Sequence, residues 1–253
     1  MIKKTILLCL TLFTVSIPVG AQAFRHLAIG AGVGSDGIGL EVTTPLTKIL
    51  ELRAGYDVAF GAVGFTYKDL SVPEHPAISG GKTVNVPARI SFAPHGGKLL
   101  LNLYSGKSSF HFTMGIYMGS SRIFRLNLKD LPDDYNTAGI NVDGYLVKAQ
   151  NNQINASLRA TGLGGVGFAV KPYLGVGFGR AFRENKRVSF TGDLGLMYIG
   201  RPAVYAPGES LTGRTRQMEI NSEHLSQLSR VEKITKWAVV WPVLQFNVYV
   251  KLF

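Results

Sequence analysis

The chain has one cysteine in 253 residues, Cys9, and it sits in the N-terminal apolar run. No disulfide, thiolate metal site or cysteine nucleophile can therefore belong to the rest of the protein. Beyond that run no continuous stretch of 18 apolar residues occurs, which excludes helical membrane spans. Histidine is scarce too: His26, His75, His95, His111 and His224 are scattered without the spacing of metal ligands. A phosphate loop is missing, because Gly81-Lys82-Thr83 supplies its tail but Pro76 stands where its first glycine is needed. Two G-x-G-x-x-G matches, Gly32–Gly37 and Gly162–Gly167, run into strand pattern instead of the helix N-terminus that a dinucleotide pyrophosphate requires. No catalytic, cofactor-binding or metal-ligating residue is assigned, and the chain is not read as an enzyme. A His–Ser or His–Asp site at the rim ranks third among functions, because nothing places a nucleophile beside His111 and a packed or lumen-facing histidine accounts for it.

What is present starts at the N-terminus. Lys3 and Lys4 precede an uncharged apolar run from Thr5 to Ile17, then Pro18, Gly20 and the small-residue site Ala21-Gln22-Ala23. This is the order of a secretory signal, and the run is short against the roughly 18 residues that span a bilayer as a helix. Cleavage after Ala23 divides the chain into a signal, 1–23, and a single domain, 24–253. Cys9 should leave with the signal. Without Lys3 and Lys4, 25 basic residues face 16 acidic ones. A basic excess can mean nucleic acid, but in an exported protein it points to the anionic lipopolysaccharide surface and to no nucleic-acid partner.

Hydrophobic periodicity carries the fold. From Ser109 to Gly119, Phe110, Phe112, Met114, Ile116 and Met118 alternate with Ser109, His111, Thr113, Gly115, Tyr117 and Gly119. One face is apolar, the other small or polar, which is the period of a strand. Leu50, Leu52, Ala54, Tyr56, Val58 and Phe60 oppose Glu51, Arg53, Gly55 and Asp57 in the same way. So do Val188, Phe190, Leu194 and Leu196 against Ser189, Thr191, Asp193 and Gly195, and Leu244 to Leu252 against Gln245, Asn247, Tyr249 and Lys251.

A soluble sandwich also alternates, so strand length and connection asymmetry must decide. Several runs exceed ten residues, against a mode of roughly five or six in globular proteins, whereas a tilted membrane strand needs about nine to eleven. The pattern gives strands at about 26–34, 38–45, 50–68, 83–104, 109–121, 170–182, 187–201 and 237–252. Short turns fall at Pro45–Ile49, Ser105–Ser108 and Arg183–Lys186, and long loops at about 69–82, 122–169 and 202–236. The fold expected is all-β: an antiparallel up-and-down transmembrane barrel of eight strands, with long extracellular loops and short periplasmic turns. Ten strands is the alternative. Pro94-His95-Gly96-Gly97 interrupts the fourth strand, after which the outward phase moves to Leu99, Leu101 and Leu103, as a β-bulge would produce. A hairpin between Ile140–Lys148 and Ile154–Ala160 is the other source of extra strands.

The inward face carries Gly30, Gly32, Gly34, Gly175, Gly177 and Gly179, leaving room for Tyr117, Tyr173 and Tyr249. Glu41, Glu51, Arg53, Asp57, Arg89 and Asp193 are placed in the same lumen, where pairing would form a hydrogen-bonded plug. Ser222–Thr235, with Leu225 and Leu228 at near-helical spacing, reads as a short helix capping the barrel mouth or a solvated segment. Asp130, Asp133, Asp134, Asn136, Asn141, Asp143, Asn151 and Asn152 read as a solvated loop, since they lack the spacing of a calcium loop.

Three stretches resemble a family: Gly37-Ile38-Gly39-Leu40-Glu41-Val42 through Leu52-Arg53-Ala54-Gly55, Lys171-Pro172-Tyr173 through Gly179-Arg180, and Trp241-Pro242-Val243-Leu244 to Phe253. They are similar to the small outer-membrane barrels of the outer membrane protein A and W type. The resemblance implies a Gram-negative outer-membrane location and a fold without catalytic residues. It also implies contact with outer-membrane lipid, and with the barrel-assembly machinery through the C-terminal strand ending in Phe253. A structural or surface-interaction role through the long loops, toward an unknown surface ligand, ranks first. A narrow, porin-like channel for ions or small solutes is the alternative.

Overall fold

The computed structural model describes residues 26–59, 61–70, 84–92, 94–106, 108–131, 139–182, 186–210, 212–223 and 228–253. The expected signal, His75, Gly81-Lys82-Thr83, Asp133, Asp134, Asn136, His224 and Leu225 lie outside these residues, as do most of the turn Arg183–Lys186 and of the loop 69–82.

Alternation translates directly into a closed ring. The barrel strands are β1 (Ala28–Gly34), β2 (Gly37–Pro45), β3 (Leu50–Val58), β6 (His95–Tyr104), β7 (Phe110–Ser120), β12 (Phe168–Gly179), β13 (Val188–Tyr198) and β16 (Val240–Lys251). They pair antiparallel around the ring in the order β1, β16, β13, β12, β7, β6, β3, β2 and back to β1. The expected eight-stranded barrel is therefore the one observed. Register fixes the faces: on β7, Phe112 is 50% exposed while Thr113 is 0% exposed. The outer face is apolar on every barrel strand, and the inner face holds the charges.

Among the described residues the long connections carry strands of their own. Between barrel strands lie β4 (Gly61–Leu70), β5 (Val84–Phe92), β8 (Arg122–Leu128), β9 (Gly139–Val142), β10 (Tyr145–Lys148), β11 (Ile154–Arg159), β14 (Ala203–Ser210) and β15 (Thr215–Ile220). They form a second sheet in the order β4, β5, β8, β11, β14, β10, β9, with β15 paired to β14. All three excursions leave from one end of the barrel. At the other end are the turns that join β2 to β3 and β6 to β7, and there the Leu27 amide donates to the Phe253 carbonyl.

Several expectations change for this reason. The run 50–68 is two strands in two sheets, β3 and β4, and so is 83–104, β5 and β6. The change of phase at Pro94 is no bulge within one strand: residues before it belong to the second sheet, and those after it to the barrel. Leu99 and Leu103 do face outward and Leu100 inward. Ile140–Lys148 closes its own hairpin, with Ile140 opposite Val147, while β11 pairs with β8 and β14. Asp143 and Gly144 at that turn have φ of 49° and 80°, the left-handed values that a tight two-residue hairpin turn requires. Asn151 and Asn152 take the same conformation in a second turn, closed by hydrogen bonds between Gln150 and Gln153.

The two sheets share an apolar junction. Leu100, Tyr117, Tyr173, Met197 and Val243 from the barrel pack with Ile123, Ala160 and Ile199, and Phe92, Phe124 and Trp241 close around them. A short helix, α1 (Ser229–Thr235), does form, with the Glu232 carboxylate accepting from the Ser222 amide and hydroxyl at 2.6 Å each. Leu228 at its start packs on Val142, Val147, Ala206, Met218 and Ile220 of the second sheet.

Candidate functional site

The barrel strands turn their polar residues inward, and the polar groups meet at mid-lumen. Glu41 (β2), Glu51, Arg53 and Asp57 (β3), Lys98 and Asn102 (β6), His111 and Thr113 (β7), and Asp193 (β13) are all at most 4% exposed. An ionised side chain in such surroundings needs a partner of opposite charge and further hydrogen bonds. Arg53 has both. Its Nη2 lies 3.0 Å from Glu41 Oε1, and its Nη1 lies 2.9 Å from Asp193 Oδ2.

Lys98 Nζ bridges Glu41 Oε2 at 3.1 Å and Asp57 Oδ1 at 3.0 Å. Tyr249 donates its hydroxyl proton to Glu41, and the Gln245 amide reaches Asp57 Oδ1 at 3.4 Å. Glu51 accepts from the Tyr104 hydroxyl at 3.3 Å and the Asn102 amide at 3.4 Å. At the turn end the Arg180 guanidinium covers the Tyr104 ring at 4.2 Å. At the excursion end a cavity of about 50 Å3 remains, lined among others by Asp36, Asp57, His95, Tyr117 and Lys171. That is room for a few waters. Between these ends the lumen is filled by side chains, as the width of an eight-stranded barrel dictates.

Glycines make the filling possible. A Cβ on Gly30 would strike the Tyr249 ring, and one on Gly177 would strike the His111 imidazole and the Asp193 carboxylate. Each glycine thus gives its volume to a larger inward neighbour.

His111 invites comparison with a catalytic group because Asp193 and a hydroxyl are both near it. Its Nε2 lies 3.0 Å from Asp193 Oδ1, and Thr113 Oγ1 lies 3.2 Å from the same oxygen and 3.0 Å from Asn102 Oδ1. In a nucleophile–histidine–acid relay the imidazole stands between hydroxyl and carboxylate. Here the carboxylate stands between hydroxyl and imidazole, so His111 is not placed to take the Thr113 proton. All three are buried in the lumen.

Of the charged residues placed in the lumen from the sequence, Glu41, Glu51, Arg53, Asp57 and Asp193 are there. Arg89 is not: it lies exposed on β5, in the second sheet. Alternation alone joins β5 and β6 into one strand and so carries Arg89 inward. Lys98 and Asn102 escape the sequence reading for the same reason. Their signal is the even phase opposite Leu99, Leu101 and Leu103. His26 and His95 lie at opposite ends of the barrel, and Asp130, Asn141, Asp143, Asn151 and Asn152 belong to turns and hairpin ends of the second sheet.

No protein-family model matches the chain, and comparison with curated proteins finds no match. Among solved structures it is similar to CarO2 of Acinetobacter baumannii, at 18% identity over 90% of this chain and 98% of that one, with a TM-score of 0.46. It is also similar to CarO of the same organism, at 16% identity over 88% and 96%, TM-score 0.44. A major outer membrane protein of Thermus thermophilus aligns at 13% identity over 90% and 98%, TM-score 0.36. At these scores the closed barrel rests on its own hydrogen-bond register: an all-β, antiparallel barrel of eight strands with a second sheet at one end.

Proposed function

We propose that the chain is an integral outer-membrane barrel with a sealed lumen, which serves a structural or surface-interaction role by displaying its second sheet outside the cell. The observation that carries this reading is the inversion of burial across all eight barrel strands. Leu40, Phe112, Leu174, Phe190, Leu194 and Phe246 face outward and exposed, while Arg53, Asn102, His111 and Asp193 are buried inside. Water-soluble proteins rarely expose an apolar patch beyond a few hundred Å2, and here the apolar surface runs around the ring. Bilayer hydrocarbon is the solvent that such a surface matches.

The lumen's ion pairs favour the sealed reading over the channel. A conducting path would require Arg53, Glu41 and Asp193 to part, leaving charges without partners in a narrow interior. Barrel-assembly machinery meets such chains through the last strand, and β16 with Leu252 and Phe253 exposed beyond it fits that role.

Two measurements test the proposal. Cell fractionation should recover the protein with the outer membrane, with gel mobility that changes on boiling. Refolded protein in planar bilayers should give no ion-conducting steps. Recovery in the soluble periplasm would overturn the membrane reading, and reproducible conductance would overturn the sealed lumen.

A further inference from the structure

Three arginines of the second sheet converge on one pocket. Arg122 and Arg125 stand three apart on β8, and in a regular strand they would project from opposite faces. The pairing of β8 with β11 shifts at this point: Leu158 faces Phe124, but Arg159 faces Arg122. The shift passes over Ile123 and turns Arg122 to the face that carries Arg125 and Arg159. With Asn155, Ser157 and Gln217 they line a cavity of about 220 Å3.

The pocket is built and, among the described residues, lacks a counter-charge. Arg159 is 7% exposed, and it donates from Nε to Ser157 Oγ at 2.9 Å and from Nη1 to the Val166 carbonyl at 2.8 Å. Its Nη2 reaches Gln217 Oε1 at 3.4 Å. The buried Nε of Arg122 has no acceptor among the described residues. Among the described residues no carboxylate lines the cavity, and none of the three arginines forms an ion pair. Burial, and then the charges of Arg125 and Arg159, push the Arg122 guanidinium below its ordinary range. Burial also lowers Arg159, with Tyr205 opposing and Arg125 adding to the effect. Gathering like charges in this way costs free energy that a bound anion returns.

We propose that the Arg122, Arg125 and Arg159 pocket binds a phosphate-bearing anion. Guanidinium forks match phosphate oxygens, and a dianion suits three cations better than a single carboxylate does. The volume exceeds that of phosphate alone and accommodates a phosphorylated sugar. Free phosphate and a phosphorylated lipid headgroup share this chemistry. Arg122 is two residues beyond Ser120, the last residue of β7, which is roughly 7 Å of strand. The pocket therefore begins at the rim, the level of headgroups. Only the lipid source rests on the proposed membrane reading; the anion site does not.

The test uses the full chain refolded in uncharged detergent, titrated calorimetrically with inorganic phosphate. In parallel, the protein in vesicles of uncharged lipid is assayed with phosphorylated and with dephosphorylated lipid A. The double variant Arg122→Gln and Arg125→Gln is compared with Arg187→Gln, an exposed arginine at the far end of the barrel, and folding is checked by mobility before and after boiling. The double variant should lose about tenfold or more in affinity, and Arg187→Gln should bind as the parent does. Should the double variant misfold, Arg125→Gln alone, altering an exposed side chain, is read in its place with the same expectation. Binding of inorganic phosphate assigns a free anion, and binding only of phosphorylated lipid A assigns the headgroup. A folded barrel that binds neither, or arginine variants that bind as tightly as the parent, would overturn the proposal. The detergent titration stays readable even if the protein never enters an outer membrane.

Discussion

Arg53 on β3 and Asp193 on β13, opposite each other in the ring, meet with Nη1 2.9 Å from Oδ2. This bond crosses the lumen and ties together strands that share no backbone hydrogen bond. Glu41 holds the other side of the same guanidinium, so Arg53 balances two buried carboxylates at once.

Replacing Arg53 leaves the buried Asp193 without its arginine, and leaves Glu41 to share Lys98 with Asp57. Arg53→Met should cost about 3–5 kcal/mol of stability, read from urea unfolding in lipid vesicles. Adding Asp193→Asn should recover part of that loss, because the two changes remove one interaction between them. A loss below about 1 kcal/mol for the single variant would show that the crossing bond does not hold the barrel.

Gly177 tests the volume exchange inside the lumen. Its added methyl would sit 2.6 Å from Asp193 Oδ1 and 2.8 Å from the Gly192 carbonyl, in addition to striking His111. Gly177→Ala should therefore destabilise by about 1–3 kcal/mol through overpacking. Gly192, one residue from Asp193 but facing outward, would meet only the Phe246 ring at 3.5 Å. Gly192→Ala should be neutral or stabilising by roughly 0.5 kcal/mol, through its smaller backbone entropy. Equal effects of the two in the same unfolding assay would contradict the assignment of faces.

The orientation can be read with single cysteines in a chain whose only native cysteine is Cys9. Thr212 lies exposed between β14 and β15, and Lys48 lies exposed in the turn between β2 and β3. A membrane-impermeant maleimide on intact cells should label Thr212→Cys and should reach Lys48→Cys only after permeabilisation. The reverse pattern would place the second sheet in the periplasm.

The barrel was legible because each of its strands has one wall of side chains facing apolar surroundings and the other facing the lumen. Phe110, Phe112 and Met114 against His111 and Thr113 is such a strand. The second sheet was not legible, for two physical reasons. Alternation runs on from β3 into β4, so the sequence has no mark where Ala59 leaves the barrel, and the return at Pro94 resembles a bulge. Two of the sheet's strands are also short: β9 and β10 have four residues each. One signal was there to be used, since Asp143-Gly144 between Ile140-Asn141-Val142 and Tyr145-Leu146-Val147 has the composition of a tight hairpin. The lumen charges followed from strand phase alone, but their partners did not: Arg53 and Asp193 are 140 residues apart, and only ring closure brings them together. The arginine pocket depends on a register shift at Ile123, for which the sequence carries no pattern.

The membrane reading is tested most directly by putting the same charge on an outward-facing leucine of each sheet. Leu194 sits midway along β13 and is 56% exposed; Leu146 on β10 of the second sheet is 39% exposed. If the barrel faces hydrocarbon, Leu194→Arg carries a cost of roughly 2–4 kcal/mol that Leu146→Arg, in water, does not. The folded fraction of both variants, measured in the same lipid vesicles, should be strongly reduced for Leu194→Arg and close to the parent for Leu146→Arg. Equal folding of the two would mean that the apolar ring does not face a bilayer.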